Sequence, residues 1–543
     1  MQVLGINAVF HDPAAALVVD GKVVAAAEEE RFSRRKHGKR PVPFSAWELP
    51  EAAARWCLQE AHCDPSDLDA VAYSYDPALA APVGEDLTVD EWEPLRTLYA
   101  SRAPRFLGSA LGGVDPDVVR FVPHHVAHAA SAHLAAPFED SSVLVLDGRG
   151  ERASSLAGRA RGGALEVLAS QDLPHSLGLW YEEATEHLGF LRSCDEYKVM
   201  ALAAYGEATM LGELRQRVKT TGDGGFAVEA MDWAALTKRR APGDAVQPEH
   251  ANLAASVQAR LEEVLLELAG WLFRETGDRV LTIAGGVALN CVANSRLAEQ
   301  GPFETVWAQP AAGDAGTALG AALYCAHALG DRVAPLQGVD LGRGFGDAEL
   351  EASLQAARIP YRRPPDIAEA AAEILAANGI VGWFQGRSEF GPRALGHRSL
   401  LAHPGHAGNV ERLNEVKGRE QFRPVAPMVL ADRAAEIFDG PVPSPYMLFT
   451  HRVTPAWAPR LPAAVHVDGT ARIQTVDRAT EELLGRLLDG FTRRSGLPVL
   501  VNTSFNTAGR PMVDDPRDAL ECFGSAPIDA LCIGPFLIRR AGQ

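Results

Sequence analysis

The sequence predicts an α/β protein in which one unit occurs twice and a second, differently built α/β domain follows. Three observations carry this. The same order of elements, three consecutive strands and then helix, strand, helix, strand, helix, is legible twice between residues 2 and 329. A proline cluster, RIPYRRPPD at 358–366, breaks that pattern, and the chain beyond it is of another character. With 543 residues, 47% hydrophobic and 22% charged, the composition is that of an ordinary globular protein too long for one core.

A net charge of −18 speaks against a nucleic-acid footprint and for small substrates. The seven cysteines, Cys57, Cys63, Cys194, Cys291, Cys325, Cys522 and Cys532, never form CxxC, so neither a zinc ribbon nor a disulfide framework is expected. MQVLGINAVFHD has no basic leader region and no apolar run reaches about 18 residues. The expectation is a cytoplasmic protein without a membrane span.

In chain order, QVLGINAV, AAALVVDG and KVVAAAEEE read as strands, with Asp20-Gly21 as a hairpin turn and His11-Asp12-Pro13 in the loop between the first two. Helical WELPEAAARWCLQEA, strand DAVAYSY, an irregular acidic stretch (75–117) and strand VVRFV follow. After Pro123 an Ala-rich helix places His124 and His128 four residues apart, on one face, where two imidazoles can share a metal; His125 and His133 fall outside that pair. Taken alone, such a pair equally describes core histidines. The second half opens with SVLVLD, whose Asp147-Gly148 hands a carboxylate to a sharp turn, then ASSLAG and LEVLASQ, then VLTIAG, TVWAQ and the helix GDAGTALGAALYCAHAL.

A duplicated unit of this order is the device of the actin-like superfamily, two halves closing on a nucleotide, with the last helix of each half starting at the cleft. His124 and His128 begin one such helix and Asp314 its counterpart, while Asp147 occupies the second-half position equivalent to His11-Asp12. The topology therefore brings His124, His128, Asp147 and Asp314 together, a set suited to Fe(II) or Zn. Gly285-Gly286, with Asn290 and Asn294 on the helix behind them, would let the backbone approach a phosphate or sugar, or else form a tight strand-to-helix turn. Lys198 in SCDEYKVMALAAYGE faces either an anionic ligand or solvent at a helix start.

Beyond the proline cluster, strand IVGWFQG runs into RSEFGPRALGHRS, where Arg387, Arg393, His397 and Arg398 crowd one loop. Lys417, Arg419 and Arg423, then His466, Asp468 and Arg472, then Ser504 and Asn506 follow, each group beside a strand. Solvated surface charge accounts for any one group; together they predict a polyanion pocket for ATP and a phosphate donor.

HDPAAAL, HHVAHAASA, LVLDGRGE, AGGVALN, GDAGTALG, GRSEFGPRALGHRS, KGREQFRPVAP and NTSFN resemble, in order and along nearly the whole chain, the NodU/CmcH-type O-carbamoyltransferases. The resemblance implies a duplicated actin-like domain (1–345, halves about 1–140 and 141–345), a linker (346–365) and a YrdC-like α/β domain (366–543). It implies that His124, His128, Asp147 and Asp314 are iron ligands, Fe(II) before Zn. Lys417, Arg419, Ser504 and Asn506 match the K-x-R and S-x-N elements of the YrdC fold. The implied reaction makes carbamoyl adenylate from carbamoyl phosphate and ATP with Mg, then carbamoylates a hydroxyl of a secondary metabolite such as an antibiotic. On this reading His11, Asp12, Lys198, Arg393, Lys417 and Arg419 are catalytic. Gly285, Gly286, Asn290, Arg387, His397, Arg398, Arg423, Arg472, Ser504 and Asn506 bind nucleotide and phosphate. His11 is a candidate base for the acceptor hydroxyl or a residue that only orients it, and Pro13 departs from the small hydroxyl residue expected there.

A tRNA threonylcarbamoyl transferase is disfavoured by the charge and the fused domains, and a hydrogenase-maturation carbamoyltransferase by the missing CxxC fingers. An actin-like regulator that binds nucleotide without transfer chemistry has no use for imidazole ligands. The expected partners are a hydroxylated small-molecule natural product and, for assembly, a second copy of the chain, with neither nucleic acid nor membrane.

Overall fold

A computed structural model describes residues 1–38, 48–80 and 93–540, and the chain divides into two units, Met1–Val339 and Asp340–Gln543. In the first, β1 (Gln2–Asn7), β2 (Ala14–Val19) and β3 (Lys22–Glu28) form an antiparallel meander turning at Asp20-Gly21. β1 is almost wholly buried because β4 (Ala70–Tyr73) pairs parallel on its other side, and β5 (Val119–Phe121) pairs parallel with β4. The second half repeats the plan. β6 (Asp140–Leu146), β7 (Ala153–Arg161) and β8 (Ala164–Asp172) form a meander. A small ribbon of β9 (Val218–Thr220) and β10 (Phe226–Val228) intervenes, and β11 (Val280–Ala284) and β12 (Thr305–Ala308) then extend the sheet parallel to β6. The orders β3-β2-β1-β4-β5 and β8-β7-β6-β11-β12 match strand for strand, which is the duplicated actin-like unit.

Each half ends on a helix, His124–His133 and Ala315–Ala328. Both are Ala-rich because they pack backbone against backbone: a Cβ on Gly320 would lie 1.8 Å from the Ala127 carbonyl oxygen. That contact across the halves brings the start of one helix beside the start of the other. The stretch 75–117, expected to be irregular, holds helices Glu93–Ser101 and Ala103–Leu111 in its described part. Ala103, Leu107 and Leu111 of the second bury one stripe at helical spacing. Residues 81–92 of that stretch lie outside the described residues, as does Trp47 of the expected helix, which runs Glu51–Glu60.

The second unit is built on a seven-stranded mixed sheet. Its spatial order is Gln474–Val476, Ala426–Leu430, Val499–Ser504, Arg398–Ala402, Val381–Phe384, Ala530–Ile533, Phe536–Arg539. A three-stranded ribbon (Phe438–Asp439, His451–Val453, Thr470–Ala471) accompanies it. Helices Ile367–Ala376 and Glu482–Ser495 cover the sheet, and Leu375 and Leu488 of these helices and Leu400 and Leu500 of the strands are fully buried. Truncating any one of these leucines to alanine would cost about 2–5 kcal/mol. The segment expected as a linker, 346–365, instead contains helix Asp347–Ala356, because Leu350 and Leu354, four residues apart, belong to this core. Among the described residues no helix is long and apolar enough to cross a membrane.

Candidate metal centre and lysine cluster

His124 and His128 project from successive turns of one helix, Asp147 follows β6, and Asp314 caps the helix after β12. His124 Nε2 lies 3.5 Å from Asp147 Oδ2 and 3.6 Å from Asp314 Oδ1; His128 Nε2 lies 3.9 and 3.6 Å from the same atoms. All four side chains are buried. Two metal–ligand bonds of about 2.1 Å at a tetrahedral angle separate their donor atoms by roughly 3.4 Å. That is close to the spacing found, and longer than the 2.7–3.2 Å typical of a direct hydrogen bond. Both Nε2 atoms are buried without a hydrogen-bond partner, an arrangement that is costly unless a cation completes it. The donor set fits a transition-metal ion.

The surroundings fix these ligands. His124 Nδ1 donates to the Ser74 carbonyl (3.2 Å), which turns Nε2 toward the carboxylates, and its backbone N–H donates to Glu151 Oε1 (2.8 Å). Asp147 Oδ1 accepts from the Gly286 N–H at 2.8 Å. Gly285 has φ +90°, and a Cβ there would lie 2.2 Å from the Leu146 carbonyl oxygen. The glycine pair expected to approach a phosphate thus closes on the end of β6 and holds Asp147. Asn290 caps the next helix, accepting from the Ala293 N–H at 3.1 Å, and donates to Gln258. Burial and mutual repulsion would raise Asp147, but His124 and His128 hold it down at about 2. Burial opposes charge on His124 too, and the two carboxylates nevertheless push it well above its ordinary value.

His11 Nδ1 lies 3.0 Å from Asp12 Oδ2 and 4.0 Å from Asp314 Oδ2. Against the desolvation of its surroundings, Asp314 and Asp12 raise His11 to about 10. Lys198, expected to meet an anionic ligand, pairs with Asp195 at 3.0 Å and lies over the Phe190 ring.

In the second unit Lys417 Nζ donates to the Ser504 carbonyl (2.6 Å), to Ser504 Oγ (2.8 Å) and to Asn506 Oδ1. The Lys417, Ser504 and Asn506 positions, far apart in sequence, therefore meet at the end of strand Val499–Ser504. Arg419 is turned aside: its Nε donates to Asn414 Oδ1 at 2.6 Å and Nη2 to the Pro424 carbonyl at 3.4 Å. The arginine loop is organised from within. Glu389 Oε1 accepts from the N–H groups of Leu395, His397 and Arg398 at 2.7, 3.1 and 3.1 Å. Arg398, fully buried, donates to the carbonyls of Gln385, Gly386, His397 and Arg343 and stacks on Phe384. Arg387 donates to the Gly342 and Leu341 carbonyls. Both arginines brace the loop where anion contacts were expected, since a buried guanidinium needs several acceptors and backbone carbonyls supply them. His397 pairs with Glu481 (3.4 Å), Arg423 with Glu420 (3.7 Å), and His466 with Asp468 (3.6 Å). Arg393 and Arg472 are half-buried, and Arg472 Nε has no hydrogen-bond partner among the described residues.

A family model of the carbamoyltransferase N-terminus matches residues 2–80 and 99–323, and one of the carbamoyltransferase C-terminus matches 372–540. The chain belongs to the carbamoyltransferase family. Nodulation protein NolNO of Sinorhizobium fredii is 40% identical over 552 residues, covering 98% of this chain and 80% of that protein. Nodulation protein U of Rhizobium tropici is 33% identical, covering 96% of this chain and 93% of its own length. Likeness to solved structures is loose: HypF from T. kodakarensis gives a TM-score of 0.34 at 14% identity, covering 61% of this chain and 49% of that one. The architecture of this carbamoyltransferase rests on its own strand order. Motifs missed Ser74, Glu151 and Glu389, which act through backbone groups. Only the carboxylates left a trace, in LVLDGRGE and GRSEFG.

Proposed function

We propose that this carbamoyltransferase is ATP-dependent, forming carbamoyl adenylate from carbamoyl phosphate and ATP with Mg around Lys417, Ser504 and Asn506. The carbamoyl group is then delivered to an acceptor hydroxyl at the cluster of His124, His128, Asp147 and Asp314, which would hold iron(II). The observation that carries the reading is the convergence of two imidazoles and two carboxylates with unpartnered Nε2 atoms, in a chain of this family. Carbamate is a poor electrophile, and joining it to AMP as a mixed anhydride supplies a leaving group. A lysine ammonium beside the phosphates offsets the charge that develops during that exchange. A metal ion bound by the four ligands would supply Lewis-acid polarisation of an oxygen of the donor. His11, 3.0 Å from Asp12 and 4.0 Å from Asp314, is placed to orient the donor or the acceptor hydroxyl. The acceptor is a hydroxylated small-molecule natural product, an antibiotic or a related secondary metabolite, and the regions expected to form its pocket are 75–117, of which 81–92 lie outside the described residues, and 173–250.

The test is the gain of one carbamoyl group by candidate hydroxylated metabolites incubated with enzyme, ATP and carbamoyl phosphate. Pyrophosphate release that depends on carbamoyl phosphate is followed in parallel. Lys417→Ala abolishes that release, whereas His128→Ala retains it and stops only transfer. The opposite pattern would reverse the division of labour.

A further inference from the structure

The loop that carries His11 and Asp12 and the helix that Asp314 caps belong to opposite halves of the first unit, yet three buried side chains tie them together. Asn7 ends β1, Ser74 follows β4, and Thr317 lies in the first turn of helix Ala315–Ala328. All three are fully buried. Asn7 Nδ2 donates to the carbonyls of His11 (3.0 Å) and Asp12 (2.9 Å), which uses both amide protons. Asn7 Oδ1 accepts from Ser74 Oγ at 3.3 Å. Thr317 Oγ1 lies 2.8 Å from Ser74 Oγ and 2.7 Å from the Asp314 carbonyl oxygen. The Ser74 carbonyl is meanwhile the acceptor for His124 Nδ1. One serine is thus joined to the His11–Asp12 loop, to a histidine of the cluster and to the helix that a carboxylate of the cluster caps.

The meeting follows from the sheet. β1 and β4 are neighbouring parallel strands, so their ends bring Asn7 and Ser74 side by side. The helix from the other half lies directly on β1: a Cβ on Gly5 would sit 1.9 Å from the Ala318 carbonyl oxygen. The loop needs holding. Phe10 and Asp12 both have positive φ (63° and 50°), a conformation that residues other than glycine keep where their surroundings impose it. The Asp12 carboxylate is occupied with His11 (3.0 Å) and His37 (2.7 Å), and Asn7 secures the backbone. A buried hydroxyl or amide that loses its partner keeps its desolvation cost, so removing one member of the chain unsettles the others.

We propose that Asn7, Ser74 and Thr317 are positioning residues that fix the His11–Asp12 loop against the metal ligands. Through them the binding of an ion at His124 and Asp314 and the placing of His11, 4.0 Å from Asp314, become one arrangement. The three make and break no bond of the substrates; they set where the groups that touch donor and acceptor stand. That an ion binds rests on the proposed function. The fixing of the loop does not.

The experiment uses the full-length protein and three variants. Thr317→Val removes the hydroxyl and keeps the shape, Thr317→Ser keeps the hydroxyl, and Ser74→Ala removes the other hydroxyl while leaving its carbonyl on His124. In metal-free protein, hydrogen exchange of the amides of residues 8–12 becomes at least about tenfold faster in Thr317→Val and Ser74→Ala, with the rest of the chain unchanged. Thr317→Ser returns to the wild-type rate. Unchanged exchange in that loop in both variants overturns the inference. So does exchange that rises throughout the chain, which is the mark of lost stability alone. In the second arm cobalt(II) is added as the probe, because its visible absorption reports the geometry of nitrogen and oxygen ligands. Thr317→Val binds it about tenfold more weakly than wild type, by competition with a chelator, and with shifted absorption bands. Thr317→Ser restores both. Equal affinity and bands in wild type and Thr317→Val overturn the link to the ligands. Wild-type protein that takes up no cobalt refutes the metal reading alone and leaves the exchange arm to decide.

Discussion

The buried four-residue cluster of the first unit and the half-buried lysine cluster of the second are both polar, but they balance their polarity in opposite ways. Lys417 has three donors, and Ser504 and Asn506 supply three acceptors for them, so the second cluster satisfies itself. His124 and His128 face Asp147 and Asp314 at distances too long for hydrogen bonds and find no other partner for Nε2. The first cluster therefore gains by taking up a cation. The second must exchange existing bonds for those to a phosphate, each worth about 1 kcal/mol net. On the proposed function, the difference predicts tighter metal binding at the first cluster and weaker phosphate binding at the second.

The strongest way to break the comparison is to remove a metal ligand. His128→Ala should take metal content from about one ion per chain to near none while the protein stays folded, read by elemental analysis and circular dichroism. Equal metal in variant and wild type would sink the ligand assignment. Lys417→Met should lower carbamoyl-phosphate-dependent pyrophosphate release by about 10²- to 10³-fold and leave metal content untouched. A variant that loses metal as well would mean the two clusters are not independent.

A subtler change sharpens the contrast. A Cβ on Gly286 would sit 3.1 Å from Asp147 Oδ1, where the backbone now donates a hydrogen bond. Gly286→Ala should displace the carboxylate and weaken metal binding about tenfold, measured by competition with a chelator. Unchanged affinity would show that this hydrogen bond does not position Asp147.

The smallest effect is expected in the second unit. Burial opposes charge on His397, yet Glu481 and Glu389 raise its pKa. A raised folded pKa contributes stability that is full below the unfolded value of about 6.5 and is lost as pH rises through the folded one. Glu481→Gln should therefore lower stability by under about 1 kcal/mol at pH 6 and leave it unchanged at high pH. A variant whose denaturation midpoint moves equally at both would exclude the ion pair as the cause.

The duplication was legible because the same order of strands and helices recurs in both halves, with the first meander's turn marked by Asp20-Gly21. The convergence of His124, His128, Asp147 and Asp314 was legible because they sit at element ends, where topology alone decides what meets. Arg398 was not. A guanidinium seeking phosphate and one bound to four carbonyls have the same sequence signature, and only the path of 385–398 distinguishes them. Ser74 and Thr317 were hidden for another reason: they are 243 residues apart and share no motif. The helix Asp347–Ala356 was readable from the spacing of Leu350 and Leu354 but was outweighed by the prolines that follow it.

The ligands of the metal cluster are divided between the two halves of the first unit, histidines from one and carboxylates from the other. Binding an ion there and holding the halves together are consequently one free-energy change, worth about 2.7 kcal/mol at a hundredfold excess over the dissociation constant. On the proposed reading, losing the ion loosens the junction of the halves without unfolding the chain. Protein stripped of metal should then be cut more readily by proteases near the junction of the halves around residues 134–140 than protein loaded with it.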